Sequence, residues 1–303
     1  MKILVTGATG FVGRAVCREL AGQGHTIRAL VRTSSVDKID PSGGYEVMTG
    51  DILDTHACLR AADGMDAVVH LVGIRHETPE TGTTYEAMHT EATYGIVNAA
   101  ARQRVRRFIY MSGLGTRENA KSRYHITKWQ CEQIVRRSEM LWTIFRPSVI
   151  FGDGDEFHPL LTDLVERSVV PIVDGGTSLL QPVSVENVVT AVVKSLMMPE
   201  TAGEVYEVGG PEQVEFYDLV QRAARACDVW PNFWKVSSLV MKPMVKMMQH
   251  LPNFPLSYDE LLMMLEDNVC DTEHFTSTFD VSLDTYTDKV DALMGKAAAL
   301  KTA

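Results

Sequence analysis

Near the start of the chain the apolar positions come as a run, Ile3-Leu4-Val5, framed by Met1, Lys2 and Thr6. A short unbroken run of this kind, closed by a glycine, reads as a strand buried on both faces. The spacing then changes, and Val16, Leu20 and Ala21 return at helical intervals. Further apolar runs predict strands at 25–31, 45–48, 66–71, 108–112 and 141–145, with helical patterns between them. Strands that alternate with helices build βαβ units and a parallel sheet. The pattern breaks at Gly152-Asp153-Gly154-Asp155, and from Pro211 onward the chain reads as mostly helical. A length of 303 residues suits one large domain or two smaller ones.

The turn after the first strand is Gly7-Ala8-Thr9-Gly10-Phe11-Val12-Gly13. Glycines let a backbone approach a pyrophosphate closely, and the free N–H groups and dipole of the following helix hold the anion. Gly7, Thr9, Gly10, Phe11, Val12 and Gly13 are therefore candidate cofactor-binding residues. The G-x-x-G-x-x-G spacing differs from the G-x-G-x-x-G of ordinary dehydrogenases. A nucleotide-free α/β protein with a glycine turn is the plainer reading. Strand, turn and helix together predict an α/β fold of the Rossmann type, a doubly wound parallel sheet.

Tyr124 and Lys128 lie four apart, on one face if the segment is helical. An ammonium near a phenol favours the phenolate, which turns a tyrosine into a usable acid or base beside a hydroxyl or carbonyl carbon. Alone the pair is a common coincidence; a glycine cradle upstream gives it meaning. Nicotinamide sites that prefer NAD place a carboxylate at the end of the second strand, on the ribose 2′-hydroxyl. This chain has Val31 and then Arg32 there. A guanidinium pairs with a 2′-phosphate, so NADP(H) is favoured and NAD(H) stays possible.

Lys and Arg number 29 against 39 Asp and Glu, for a net charge of −10. With no basic run, nucleic acid is a poor partner. Five scattered cysteines without a Cys-x-x-Cys argue for reduced thiols and against a zinc site, so no metal is expected. No apolar run approaches the ~20 residues of a membrane span, and a strand starting at the first residue leaves no room for a leader. Together these predict a cytoplasmic protein.

The chain resembles the short-chain dehydrogenase/reductases of the extended or atypical, epimerase/dehydratase-like type. Within that family it is most similar to relatives of the NADPH-binding accessory subunit of respiratory complex I. The likeness runs through the glycine turn, Gly50-Asp51-Ile52, Val69-His70-Leu71-Val72-Gly73, His89-Thr90-Glu91-Ala92-Thr93 and Ser122 to Lys128. It continues through Arg146-Pro147-Ser148, Gln181-Pro182-Val183, Tyr206-Glu207-Val208-Gly209-Gly210 and Glu266-Asp267-Asn268-Val269. It implies an NADP-binding domain at 1–150 completed by about 183–208, with 151–182 and 209–303 forming a smaller, mostly helical substrate domain. It also implies that Asp51 and Ile52 contact adenine, that Leu71, Val72 and Gly73 line the cofactor's far side, and that Pro147 and the backbone through Val149 hold the carboxamide. Tyr124 would be the acid/base, and Lys128 would tune it and hold the ribose. A Ser or Thr would orient the substrate oxygen. Gly113 stands at that position and Ser112 one residue earlier, where a strand end turns its side chain to the other face. Ser112 remains the third catalytic candidate, with His89 and Thr116 as substitutes for the missing hydroxyl.

His70, ending an apolar strand, reads as a packed histidine, and His158 as a residue of a solvated loop. Gln181, Glu186 and Asn187 are expected to tie the second domain to the sheet. Residues 236–250 are rich in methionine and carry lysines. Methionine surfaces adapt to varied apolar partners. The stretch reads as a packed helix, a lid over an apolar ligand, or a contact with a peripheral membrane surface or partner protein. Two functions follow. One is an NADP(H)-dependent oxidoreductase or epimerase acting at a hydroxyl or carbonyl of a small molecule, apolar substrates included. The other is a silent NADPH-binding structural or assembly factor of a respiratory or other membrane complex.

Overall fold

A computed structural model describes residues 1–39, 43–249, 251, 254 and 256–302. In chain order the elements begin with β1 (Lys2–Thr6), α1 (Phe11–Gly22), β2 (Thr26–Val31), β3 (Glu46–Thr49) and α2 (Thr55–Ala62). They continue with β4 (Ala67–His70), α3 (Ala92–Arg102), β5 (Arg107–Met111), α4 (Arg123–Arg136) and β6 (Leu141–Pro147). Then come β7 (Ile150–Phe151), α5 (Phe157–Val165), β8 (Val169–Val173), β9 (Leu179–Leu180), β10 (Val183–Ser184), α6 (Val185–Ser195) and β11 (Glu204–Val208). The last are β12 (Val214–Glu215), α7 (Phe216–Ala226), β13 (Asn232–Val236), α8 (Ser238–Met248), α9 (Tyr258–Met264), α10 (Glu273–Phe279) and α11 (Thr287–Thr302).

The chain divides into two compact units. The first comprises Met1–Pro147, Val185–Glu207 and Glu273–Val281. Its seven-stranded sheet has the order β11-β6-β5-β4-β1-β2-β3. The pairings from β6 through β3 are parallel, so the fold is the expected doubly wound α/β sheet. Strand order reverses beside β1, and the cleft above that switch point, at the carboxyl ends of the strands, is where such sheets bind ligands. The strands are legible as apolar runs because both faces are covered: Ile3, Leu4, Val5, Val68, Val69, Phe108 and Ile109 are fully buried. At the start of β5 Arg107 is buried and satisfied, its guanidinium donating to Ser195 O, Leu141 O, Thr143 Oγ1 and Thr201 Oγ1.

The second unit comprises Ser148–Ser184, Val208–Thr272 and Ser282–Ala303. Its core joins α5, α7 and α11 through Leu161, Val165, Leu219, Val220, Val290 and Met294. Three two-stranded pairs complete it, β7 with β10, β9 with β12, and β8 with β13. Gln181 works within this unit, donating to Gly210 O at 2.8 Å and accepting from Cys270 N at 2.8 Å. His158 is no solvated loop residue. It lies in the first turn of α5, 1% exposed, with Nδ1 2.8 Å from Asp155 Oδ2 and Nε2 3.0 Å from the Tyr286 hydroxyl. The Asp155 carboxylate also accepts the N–H groups of Phe157 and His158, so the Gly-Asp-Gly-Asp stretch ends in a helix start that takes the histidine inside. The methionine-rich stretch is α8, which buries Met241 and Val245 against α9; His250, its last residue, lies outside the described residues.

Candidate active site

The glycine turn forms between β1 and α1, where Gly7 has φ of +79°, a conformation that L side chains rarely adopt. A Cβ on Gly13 would stand 2.0 Å from Gly7 O, and one on Gly7 would stand 2.9 Å from Leu71 C. The turn therefore closes only without side chains, and Gly10 N donates to Gly7 O at 3.0 Å to hold it. No side chain caps α1 at Gly10, which leaves its first N–H groups for an anion. This cradle fits a dinucleotide pyrophosphate. Arg14, which the spacing argument passed over, reaches back from α1 to donate to Thr9 O at 2.7 Å, bringing a guanidinium to the rim. A basic residue right after the third glycine was the available signal.

At the end of β2, Arg32 is exposed, and its side chain has no partner among the described residues. Asp51 follows β3 and turns its carboxylate to Leu53 N, 2.9 Å away, while Ile52 is buried. Leu71, Val72 and Gly73 leave β4, with Leu71 N donating to Thr6 O. Pro147 ends β6, and its carbonyl accepts from Leu114 N at 2.8 Å. Val149 belongs to the second unit, where its carbonyl accepts from Val183 N.

Helix α4 carries the pair. Ser122 caps it by accepting from His125 N, and Arg123 anchors its start to Glu77 and Glu86. Tyr124 is half-buried and enclosed edge-on by the rings of Tyr85, His89 and His125. Its hydroxyl has no hydrogen-bond partner among the described residues. A Cβ on Gly113 would stand 3.2 Å from that hydroxyl, so position 113 faces Tyr124 and Gly leaves the space in front of the phenol open. Lys128, one turn on, is buried, and its Nζ donates to Met111 O at 3.0 Å. A Cβ on Gly73 would come within 2.9 Å of that Nζ, so a side chain there would crowd the ammonium.

The electrostatics differ from the sequence expectation in one respect. Burial pushes the Tyr124 phenol up to about 12, opposed only by the charge of Arg75. Lys128 is itself pushed down to about 8 by burial, and its ammonium is tied to a backbone carbonyl. Desolvation, which penalises both charged forms, is the largest cause of both shifts. The unliganded pair is thus a protonated phenol one helical turn from a weakened ammonium.

Ser112 does not face Tyr124. Its Oγ donates to Glu132 Oε1 at 2.7 Å, and Glu132, fully buried, is held by Arg146 through Nε at 2.8 Å and Nη2 at 2.7 Å. Ser112 thus serves a buried ion-pair network behind the site, and the one-residue offset explains why. Glu132 lies one turn past Lys128, so Tyr124, Lys128 and Glu132 follow one another along one side of α4. Removing one partner of such a pair strands the other charge. Glu132→Ala is expected to cost about 3–5 kcal/mol in urea unfolding, with Glu132→Ala/Arg146→Met recovering most of it.

His89 and His70 are structural in geometry. His89 sits in a π-helical turn, Glu86–Glu91, with Nδ1 2.9 Å from Thr127 Oγ1 and Nε2 3.0 Å from both Ile74 O and Ile74 N. His70 bridges Thr6 and Thr93. Burial, with the charge of Lys128, holds His70 down to about 3 and His89 to about 2, so both stay neutral. Thr116 sits 3.4 Å from Ser112 Oγ in the network behind the site. Among the described residues, no group of three His, Cys, Asp or Glu side chains is placed to hold a metal ion.

A cradle for a pyrophosphate at the switch point of a parallel sheet, with a Tyr–Lys pair beside it, defines a dinucleotide-binding protein of the oxidoreductase and epimerase type. The match to a family model bears this out: residues 7–197 fit the one described as NAD(P)H-binding, and the chain belongs to that family. It is similar to a 3 beta-hydroxysteroid dehydrogenase/Delta 5→4-isomerase of Mycobacterium tuberculosis, 27% identical over 264 residues, covering 76% of this chain and 71% of that protein. It is similar also to the mitochondrial NADH dehydrogenase (ubiquinone) 1 alpha subcomplex subunit 9 of Arabidopsis thaliana. There the identity is 26% over 283 residues, covering 90% of this chain and 70% of that protein. A nucleoside-diphosphate-sugar epimerase from Staphylococcus aureus shares the fold, with a TM-score of 0.75 at 17% identity, covering 97% of this chain and 100% of that one.

Proposed function

We propose that the chain is an NADP(H)-dependent oxidoreductase that reduces a carbonyl of a small organic molecule, with Tyr124 Oη as the proton donor. The observation that carries the reading is the open phenol: Tyr124 Oη faces the gap at Gly113, with Lys128 one turn away. A nicotinamide bound at the cradle supplies the hydride in such a reaction. The residues do the rest. Gly7, Thr9, Gly10, Phe11, Val12 and Gly13 hold the pyrophosphate, Asp51 and Ile52 the adenosine, and Leu71, Val72, Gly73 and Pro147 the nicotinamide end. Lys128 holds the ribose and stabilises the phenolate left when the proton has moved. The substrate oxygen itself, or a water, fills the place of the absent hydroxyl at 113. A reducing, cytoplasmic setting suits the scattered cysteines.

The test is a panel of aldehydes and ketones scored for NADPH consumption, beside the melting temperature with and without NADPH. Carbonyl-dependent consumption supports the enzyme. Thermal stabilisation by NADPH with no consumption across the panel defeats it and supports the second reading, a silent cofactor-binding subunit. Gly113 itself favours that reading, together with the relatives named as NADH dehydrogenase subunits.

Arg32 carries the choice of cofactor, as a partnerless guanidinium at the end of β2 with Val31 in the carboxylate position. Charge-assisted hydrogen bonds to a 2′-phosphate are worth about 1.5–3 kcal/mol. Arg32→Ser is therefore expected to weaken NADPH binding by roughly ten- to a hundredfold, leaving NADH binding unchanged, as read by fluorescence titration. Equal affinity for both cofactors in the unsubstituted protein would overturn the preference.

A further inference from the structure

Helix α8 has two apolar faces, and only one is used. Met241 and Val245, buried, turn toward α9. On the other side Leu239 is 84% exposed, Val240 60% and Met247 75%, with Pro243 and Met244 between them. Placed 100° apart per residue, these five positions form one continuous stripe. Lys242 and Lys246 run along one margin of that stripe, between it and the buried face. Long lysine stems lie over apolar surface and lift their charge to a boundary. Trp234 on β13 is 63% exposed. Alternation along the strand puts it on the same sheet face as Val236, which packs in the α8–α9 cluster.

Charge identifies the occupant. Between Asp228 and Asp259 there is no Asp or Glu, and three lysines, Lys235, Lys242 and Lys246, give this stretch +3 within a chain of net −10. The carboxylates on neighbouring elements are Asp174, whose Oδ1 accepts from Ser238 N at the helix start, and Asp259 and Glu260 in the first turn of α9, where Glu260 accepts from Ser257 N. An exposed apolar stripe bordered by lysines, on a helix that carries no acid itself and with an exposed tryptophan on the preceding strand, is complementary to an anionic bilayer surface. No helix among the described residues is long and apolar enough to cross a membrane, so such contact is peripheral.

We propose that α8 and Trp234 form a docking surface for the anionic face of a lipid bilayer, laying Leu239, Val240, Pro243, Met244 and Met247 into the headgroup boundary. The proposal is independent of whether Tyr124 turns over a substrate.

Flotation of the full chain with vesicles of phosphatidylcholine, and of phosphatidylcholine mixed with phosphatidylglycerol, tests it. The expected result is flotation with the anionic vesicles alone, lost on adding salt, and a blue shift of tryptophan emission on binding. Lys242→Gln/Lys246→Gln is expected to lower the partition coefficient by more than about tenfold. Leu239→Ser/Met247→Ser should abolish binding, and because both sites are exposed, the melting temperature should hold. No flotation, equal flotation with neutral vesicles, or binding indifferent to both variants would overturn the proposal. So would self-association that Leu239→Ser/Met247→Ser dissolves without any vesicle binding, since the occupant would then be a second copy of the chain.

Discussion

Tyr124→Phe is expected to lower carbonyl-dependent NADPH consumption by about a hundred- to ten-thousandfold, the range that a positioned general acid contributes. Cofactor affinity should change little, because the phenol hydroxyl has no hydrogen-bond partner among the described residues and the ring, which packs against Tyr85, His89 and His125, is retained. The pH profile sharpens the test. With the phenol raised to about 12, the proton to be donated is in place across the neutral range, so the rate does not fall there for want of acid. Lys128, lowered to about 8, loses its charge above that value and with it the support for the phenolate. Rate is therefore expected to decline as pH rises through 8. A Tyr124→Phe protein that consumes NADPH at the original rate would remove Tyr124 from the chemistry.

Lys128→Met is expected to abolish the same turnover while making the unliganded protein more stable at neutral pH. The lysine is buried, and its charged form is disfavoured by the shift from 10.5 to about 8. At about 1.4 kcal/mol per unit, that shift corresponds to about 3 kcal/mol of destabilisation below pH 8. The bond to Met111 O offsets about 1 kcal/mol when it is lost, leaving a net gain of roughly 2 kcal/mol for the variant. The sign follows from linkage. A depressed lysine contributes its full stability only above 10.5 and has lost it once pH falls through 8. The advantage of Lys128→Met in urea unfolding should therefore be largest at pH 7 and shrink between pH 8 and 10.5. A variant that is less stable at pH 7 would show that the burial of this ammonium carries no penalty. A site that holds strain for function is a familiar trade.

The sheet and the cradle could be read in the sequence because each rests on a short-range signal. Ile3 to Val5 are apolar because both faces of β1 are covered, and Gly7 and Gly13 are glycines because the turn admits nothing larger. The Tyr–Lys spacing put both residues on one face of α4. What could not be read depended on long-range partners. Glu132 and Arg146 look like solvent residues in the sequence and are a buried pair in the fold. His158 looked like a loop residue because Tyr286, which closes its hydrogen bonds, lies far along the chain. The two-residue strands β7, β9, β10 and β12 carry no periodicity to detect. The Tyr124 proton affinity followed from burial, which spacing does not report.

Position 113 also bears on descent. A Cβ at 113 would stand 3.2 Å from the Tyr124 hydroxyl, and a glycine codon can become a serine codon by a single base change. The glycine turn of Gly7, Gly10 and Gly13 and the buried Lys128 are built from other residues. Silent binder and working enzyme are then neighbours in sequence space. A lineage built on this scaffold can pass between them in one step, in either direction, without rebuilding the cradle, the sheet or the surface on α8.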